Sequence, residues 1–304
     1  MLRLAGHWVW DSWSFTETDG LHHLYFLKAP RSLGVPLLRH SHAFVGHAVS
    51  RDWRSWSERP DALLPSRGPS WDDLSVWTGS VIRGPRMFHM FYTGTSREQG
   101  ISVQRIGRAD STDLIHWERF GERPLVTADP RWYASVDGRT GWEQTWRDPW
   151  VQADPDGHGW HMFLTARVPG EGPGRGVVGH AVSPDLDHWE VLPPRSNNGP
   201  FDHLEVVQPT VVEGRHELLM SCAITAITPG HHPASSPGGV YLIPGDGPLG
   251  PWDVTAWRRI DHPSLYAPRV VDDDGELALL GFRDIENGDF IGEIADPVTL
   301  RVES

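Results

Sequence analysis

The sequence predicts an all-β protein, a single five-bladed β-propeller of four-stranded blades around a central pocket, with one domain over residues 1–304. Two observations predict this fold: an internal repeat, and a regular succession of short strands with alternating apolar residues. Segments with the 3.6-residue period of an amphipathic helix are almost absent, which disfavours helical and mixed folds.

The repeat places Gly, Ala, Ser, Asp and Trp at offsets 0, 2, 4, 6 and 10. Three clear copies begin at Gly46, Gly107 and Gly179, a divergent copy begins at Gly292, and a weaker one begins at Gly239. A period of this kind is typical of folds that repeat one structural unit. Five copies indicate five units.

Each copy follows two apolar runs whose alternation and content of β-branched and aromatic residues predict strands. The first strands are predicted at 8–15, 76–82, 146–152, 204–212 and 265–271. The second strands are predicted at 22–29, 86–95, 159–167, 216–225 and 276–283. With the repeat strand and an outer strand that carries the repeat Trp, each unit has the four strands of a propeller blade. We interpret the repeat Trp as a packing residue and the repeat Asp as the cap of a turn.

The amino-acid composition argues against several classes of protein. The chain has 27 Lys and Arg against 40 Asp and Glu, which argues against nucleic-acid binding because phosphate contacts need clustered cations. The single cysteine, Cys222, excludes an intramolecular disulfide. No apolar run reaches the roughly 18–20 residues that cross a bilayer, and none near Met1 has the form of a signal peptide. We expect a soluble, cytoplasmic protein whose oligomeric state the sequence leaves open.

The first strand of a propeller blade lines the central channel, so a site there draws on equivalent positions of several blades. Three first strands carry an acid: Asp11, Asp148 and Glu205. Counted to the apolar centre of the following strand, the three acids fall at nearly the same depth. Burying carboxylates together costs free energy unless they are paired or used, and it drives their pKa values apart. Glycoside hydrolysis requires that separation, with one carboxylate ionised and another protonated.

Other residues of the first strands suit the binding of a small carbohydrate. Trp10, Trp77 and Trp146 would form an aromatic wall against a sugar ring. Arg147 would keep its neighbour Asp148 ionised or bind sugar hydroxyls. The predicted substrate-binding residues are Trp10, Trp77, Thr78, Arg147, His203 and Arg269.

These motifs resemble those of a clan of fructose-transferring glycosidases. Trp10-Asp11-Ser12-Trp13 resembles the blade-one motif of glycoside hydrolase family 68, the levansucrases and related fructosyltransferases. Trp77-Thr78-Gly79-Ser80 resembles the Trp-Ser-Gly-Ser segment of that family and its counterpart in the family 32 invertases. Arg147-Asp148-Pro149 matches the Arg-Asp-Pro motif of both families, and Glu205 stands on blade four, where their general acid lies.

The resemblance implies a retaining mechanism through a covalent fructosyl-enzyme. Asp11 would attack the anomeric carbon of a β-fructofuranosyl unit, and Asp148 would hold fructosyl hydroxyls. Glu205 would protonate the leaving oxygen and then activate water or an acceptor sugar. Family 68 has a second acid two residues before the catalytic Glu, where this chain has His203. We therefore expect a hydrolase of small β-fructosides such as sucrose, with fructosyl transfer as an open alternative.

Two further functions stay open at this point. An inverting glycosidase of the family 43 type, acting on α-L-arabinofuranosides or β-xylosides, also uses two Asp and one Glu. A separation of about 5–5.5 Å between the working carboxyls predicts retention, and one of about 6.5–9.5 Å predicts inversion. A sugar-binding propeller with little turnover is the other alternative.

Seventeen histidines raise the question of a metal site. The pairs His22-His23 and His231-His232, and the His40-Ser-His42 segment, lack the ligand spacing of a zinc site. We expect neither a metal nor another cofactor. Among the histidines, we expect only His203 in the pocket.

Overall fold

The computed structural model describes residues 1–135, 144–230, 238–260, 262 and 264–301. These residues form five four-stranded antiparallel sheets, which confirms the predicted five-bladed propeller. His231-His232 lies outside the described residues. The described helical segments are three short 3-10 turns at Arg31–Leu33, Pro36–His42 and Ile224–Ala226. None of the described helices is long and apolar enough to span a membrane.

The first three blades follow the chain in order, each strand pairing with the next. Blade one contains β1 (His7–Thr16), β2 (His22–Pro30), β3 (Phe44–Ser50) and β4 (Ser57–Leu63). Blade two contains β5 (Ser75–Arg83), β6 (Phe88–Ser96), β7 (Gly100–Ser111) and β8 (Glu118–Arg119). Blade three contains β9 (Trp146–Ala153), β10 (Trp160–Arg167), β11 (Gly176–Ser183) and β12 (Glu190–Leu192).

Blade four follows the chain in order like the first three, whereas blade five differs at its outer edge. Blade four contains β13 (Glu205–Val212), β14 (Arg215–Ala223), β15 (Gly238–Pro244) and β16 (Arg258–Ile260). Blade five contains β17 (Leu265–Asp273), β18 (Glu276–Glu286), β19 (Asp289–Ile294) and β20 (Val298–Thr299). In blade five both β19 and β20 pair with β18, at opposite ends of that strand. The segment before β1 closes the ring, because Leu2 exchanges two backbone hydrogen bonds with Ile294.

The repeat has the structural role that the sequence predicts. Each repeat Asp caps a turn: Asp52 accepts a hydrogen bond from the backbone N of Arg54, and Asp113 and Asp185 accept the equivalent bonds at 2.9 Å. The repeat tryptophans pack, as expected, but they precede the outer strands and do not lie on them. Trp117 stands edge-on against Tyr25, and Trp189 against Phe91, with ring centroids 5.6 Å apart in both pairs. These contacts join blade two to blade one and blade three to blade two.

Buried hydroxyl groups form a second set of ties between blades. Thr93 Oγ1 accepts a hydrogen bond from the backbone N of Asp148 at 3.0 Å, and it donates to the carbonyl of Thr78 at 3.2 Å. Thr165 Oγ1 accepts from Val206 N at 3.2 Å, and Ser221 Oγ accepts from Ala267 N at 3.1 Å. In each case the second strand of one blade holds the first strand of the next.

We expect Thr93→Val to lower the free energy of unfolding by about 1–3 kcal/mol, because the buried N–H of Asp148 and carbonyl of Thr78 lose their partner. Urea denaturation measures this loss. Thr93→Ser keeps the hydroxyl and is the matched control. Equal destabilisation of both variants would show that packing, and not the hydrogen bonds, holds this junction.

Candidate active site

The five first strands share one irregularity that builds the site. Each breaks its ladder to the second strand at the same depth, as a β-bulge does. The residues that open the five breaks are Asp11, Thr78, Asp148, Val206 and Ala267. Asp11, Asp148, Val206 and Ala267 have positive φ angles of 30°, 58°, 57° and 43°, which non-glycine residues rarely adopt. In blade two, a Cβ on Gly79 would lie 2.0 Å from the carbonyl oxygen of Phe91, so only glycine fits after Thr78.

The bulges turn two successive side chains into the same pocket. A regular strand presents alternate residues to one face. Here the pocket is lined by Trp10 with Asp11, Trp77 with Thr78, Arg147 with Asp148, and Glu205 with Val206. The adjacent pairs therefore double the number of side chains that each strand contributes.

The register corrects one expectation from the sequence. Glu205 pairs with Ser221 as Trp10 pairs with Leu27 and Arg147 with Thr165, which places Glu205 one residue before the break. Asp11 and Asp148 lie at the break itself. The expectation that the three acids fall at nearly the same depth is thereby refined, because Glu205 lies one residue earlier on its strand than Asp11 and Asp148 do on theirs.

The resulting cavity has a volume of about 320 Å³ and opens at the start of the first strands. This volume is near the lower end of the range for small-molecule sites, roughly 300–1,000 Å³. Asp11 and Asp148 lie at its floor, and Glu205 lies in its wall one residue closer to the mouth.

Asp11 is buried beside a second acid. Thr78 Oγ1 donates a hydrogen bond to Asp11 Oδ2 at 2.5 Å. Burial and the charge of Asp148 raise the pKa of Asp11 to about 7, although the Thr78 hydroxyl opposes the shift. Asp11 thus binds a proton far more readily than an exposed carboxyl does.

Glu205 has the most extensive set of partners. Arg147 Nη2 donates to Glu205 Oε1 at 2.7 Å, and the Tyr266 hydroxyl donates to Oε2. His203 Nδ1 lies 3.6 Å from Oε1. Burial raises the pKa of Glu205, but the contact with His203, the charge of Arg147 and the Tyr266 hydroxyl outweigh burial and set this pKa well below its usual range.

Asp148 is tied to both neighbours. Thr165 Oγ1 donates to Asp148 Oδ2 at 2.8 Å, and Arg147 Nε lies 3.5 Å from the same oxygen. Burial raises the pKa of Asp148, and the charge of Arg147 opposes the shift.

The three carboxyls therefore titrate as one cluster. Below about pH 7 the cluster holds a proton, and Asp11 takes it before Glu205 does. A reaction that needs an ionised Asp11 and a protonated Glu205 must move this proton from one acid to the other. The arrangement supplies one nucleophilic carboxylate and one acid, provided that the proton stays in the cluster.

Most of the predicted site residues line the cavity: Trp10, Asp11, Trp77, Thr78, Arg147, Asp148, His203 and Glu205. Trp146 does not, because it is fully buried on the other side of its strand against Tyr133, with ring centroids 4.7 Å apart. The prediction that it forms part of the aromatic wall is wrong.

Arg269 also lies outside the cavity lining. It is buried two residues below the break in β17, where its Nη1 donates to the carbonyls of Val206 and Val207 at 3.2 and 2.7 Å. Its charge lowers the pKa of Asp148. The prediction of a direct substrate contact is corrected to a charge beneath the pocket floor.

Sequence reasoning missed five polar or aromatic lining residues: Arg39, His40, Tyr266, Phe282 and Asp284. His40 corrects the expectation that only His203 among the histidines lies in the pocket. Its backbone carbonyl accepts a hydrogen bond from Trp77 Nε1 at 2.7 Å. Tyr266 directly precedes Ala267 at the blade-five break, so the repeat could have indicated it once the bulge was known. Arg39 and Asp284 come from a connection and a strand end, where no pattern marks them.

One group of described residues could bring three metal-ligating atoms within 4.8 Å of one another: Asp154, Asp156 and His158. It lies in the turn between β9 and β10, away from the pocket. Asp154 is already engaged there, because its Oδ2 lies 2.9 Å from His161 Nε2. The contact with His161 therefore gives Asp154 a structural role in this turn.

Comparisons with known proteins agree with this geometry. A β-fructofuranosidase 1 from Zea mays is 36% identical over 89 residues, which are 28% of this chain and 13% of the maize protein. An extracellular sucrase from Zymomonas mobilis is 27% identical over 232 residues, which are 62% of this chain and 54% of that protein. The matches thus span about half or less of these relatives.

Among solved structures, an inulosucrase from Halalkalicoccus jeotgali bound to kestose superposes with a TM-score of 0.73 at 22% identity. The superposition covers 96% of this chain and 81% of that one, and it shows a shared fold. The model of the glycosyl hydrolases family 32 N-terminal domain matches residues 4–282. That span includes all five bulges and the acids Asp11, Asp148 and Glu205. The chain therefore belongs to glycosyl hydrolase family 32.

Proposed function

We propose that this protein is a retaining glycosidase that hydrolyses small β-fructofuranosides such as sucrose. The observation that carries the proposal is the placement of Asp11 at the floor of one cavity with Glu205 in its wall. Membership of family 32 supports it, as do relatives that are named a sucrase and a β-fructofuranosidase. The cytoplasmic location stays a prediction.

The geometry suggests a reaction in two steps. In the first, an Asp11 carboxylate oxygen bonds to the anomeric carbon while the glycosidic C–O bond breaks, and the proton of Glu205 passes to the leaving oxygen. In the second, the Glu205 carboxylate takes a proton from water, whose oxygen attacks the anomeric carbon and displaces Asp11. An acceptor sugar in place of water would give fructosyl transfer.

The remaining residues of the cavity bind the sugar and stabilise the transition state. Asp148, fixed by the Thr165 hydroxyl, is placed to hold fructosyl hydroxyls and to stabilise the cationic character of the transition state. Trp10 and Trp77 offer apolar walls to the sugar ring. Three acids that line one cavity favour catalysis over simple sugar binding. Membership of family 32 favours a fructosidase over an inverting glycosidase of the family 43 type.

We expect the purified protein to release glucose and fructose from sucrose, and Asp11→Asn to lower kcat by about 10⁴-fold or more because no nucleophile remains. Separate assays of free glucose and free fructose measure both hydrolysis and transfer, since transfer gives an excess of glucose. Asp289→Asn, an exposed carboxylate on β19, is the matched control. Full activity in Asp11→Asn would contradict the proposed nucleophile. Inversion at the anomeric carbon, observed by NMR of fresh product, would contradict the mechanism.

The value of kcat/KM is expected to fall as pH rises through about 7. Because the pKa of Asp11 is raised to about 7, the cluster holds its transferable proton below that pH and loses it above. Thr78→Val removes the hydroxyl that favours ionised Asp11, so the alkaline limb should move up by roughly one to two pH units. Thr78→Ser keeps the hydroxyl and should keep the limb. An unmoved limb in Thr78→Val would exclude Asp11 as the group that titrates.

Tyr266→Phe is expected to lower kcat roughly tenfold and to move the acid limb of kcat/KM to higher pH. The Tyr266 hydroxyl donates to Glu205 and favours its ionised form, so its removal raises the pKa of Glu205. Tyr241→Phe, on a third strand away from the cavity, is the control. A lower kcat with an unchanged pH profile would show that Tyr266 acts by packing alone.

A further inference from the structure

The cavity has a floor, a wall and a mouth. The two parts of a glycoside, its fructosyl ring and its leaving group, would occupy different levels of it. Asp11 and Asp148 form the floor, and Glu205 lies one residue above them. Beyond Glu205, towards solvent, the lining comes from strand ends and connections, including Arg39, His203 and Asp284. If the fructosyl ring occupies the floor, as the proposed function requires, the leaving group must lie in the mouth.

Asp284 presents an acceptor there. It lies on β18 two residues beyond Phe282, which pairs with Tyr266 at the level of Glu205. Within the described part of the chain, the Asp284 carboxylate accepts no hydrogen bond and forms no ion pair. Burial raises its pKa, and the charge of Arg39 opposes the shift. A half-buried carboxylate that lines a cavity and has unused acceptors is available to bind a polar ligand there.

Arg39 presents donors at the same mouth from a different element. It lies in the 3-10 segment Pro36–His42, which connects β2 to β3. Its guanidinium carbon lies 4.0 Å from the ring centroid of Phe290 and 5.6 Å from that of Trp10. Nη1 donates to the carbonyl of Pro36 at 3.0 Å, while Nε is buried and has no hydrogen-bond partner within the described ranges. The two rings hold the guanidinium in place, so little side-chain entropy is lost when Arg39 binds a ligand.

The two residues have opposite charges that interact without contact. Burial lowers the pKa of Arg39, and the charges of Asp11 and Asp284 oppose this shift. The charge of Arg39 in turn opposes the raised pKa of Asp284, yet among the described residues no ion pair joins Arg39 to Asp284. The donors of Arg39 and the acceptors of Asp284 therefore stay available to a ligand in the mouth. Neighbouring hydroxyls of a sugar donate and accept at once, which matches a donor and an acceptor held apart.

We propose, on the basis of the fructosidase function above, that Arg39 and Asp284 bind the leaving-group sugar and so select substrates whose leaving group is a polyhydroxylated ring. Asp284 accepts from its hydroxyls, and Arg39 donates to them. Alkyl or aryl leaving groups cannot use either interaction. A site built to hydrogen-bond a hydroxyl discriminates strongly against an analogue that lacks it, because its polar groups are then left unpaired.

The test compares two substrates with the same fructosyl unit, sucrose and methyl β-D-fructofuranoside. Asp284→Ala and Arg39→Met should each lower kcat/KM for sucrose by roughly 10- to 100-fold, the loss expected for a hydrogen bond to a charged group. The values for the methyl fructoside should change by less than about threefold. Asp289→Ala and Arg86→Met, two exposed positions, are the matched controls.

Product inhibition gives a second readout, because it reports the binding of each product and does not require a second substrate. The inhibition constant of glucose should rise in both variants, and that of fructose should stay unchanged. Equal losses on both substrates, or no loss on either, would overturn this inference and leave the proposed function standing. A wild-type protein inactive on both substrates would overturn the proposed function and this inference with it.

Discussion

The break in the first strand of every blade is the constraint on which the site depends. Without it, β1 would present Trp10 or Asp11 to the channel, but not both. The backbone cost of a positive φ at Asp11 and Asp148 is of order 1–3 kcal/mol each. Hydrogen bonds between blades offset this cost at Asp148, and likewise at Val206 and Ala267. Thr93, Thr165 and Ser221 accept from the N–H groups of these three residues. The same hydrogen bonds therefore join the blades of the ring and fix the backbone that positions the site.

The same layer sets the electrostatics. Three buried carboxyls would repel each other strongly if all were ionised in a medium of low polarity. Arg147 contacts two of them, with Nη2 at 2.7 Å from Glu205 Oε1 and Nε at 3.5 Å from Asp148 Oδ2. Among the described residues no cation contacts Asp11, although the charge of Arg39 acts on it from a distance, and burial raises the pKa of Asp11 to about 7. The cluster thus stores the proton that acid catalysis needs at the residue that lacks an arginine.

Much of the fold could be predicted from the sequence, because the repeat marks the third strand of each blade and alternation marks the first two. The bulges could not, since their first residues (Asp11, Thr78, Asp148, Val206 and Ala267) share no side-chain type. An unrecognised extra residue changes which face a side chain takes. For this reason the sequence does not predict the one-residue offset of Glu205, the buried face of Trp146, or the place of Arg269 beneath the floor.

The floor and the mouth also differ in origin. The floor comes from equivalent positions of the repeated blades, so a repeat and three acids were enough to predict it. The mouth comes from unrelated pieces, the 3-10 segment with Arg39 and the end of β18 with Asp284, which only the folded chain brings together. Within the described residues no hydrogen bond joins the Asp284 side chain to the floor. Changes at the mouth can therefore alter the leaving group that is accepted while Asp11, Asp148 and Glu205 keep their positions, which separates the chemistry of this fold from its specificity.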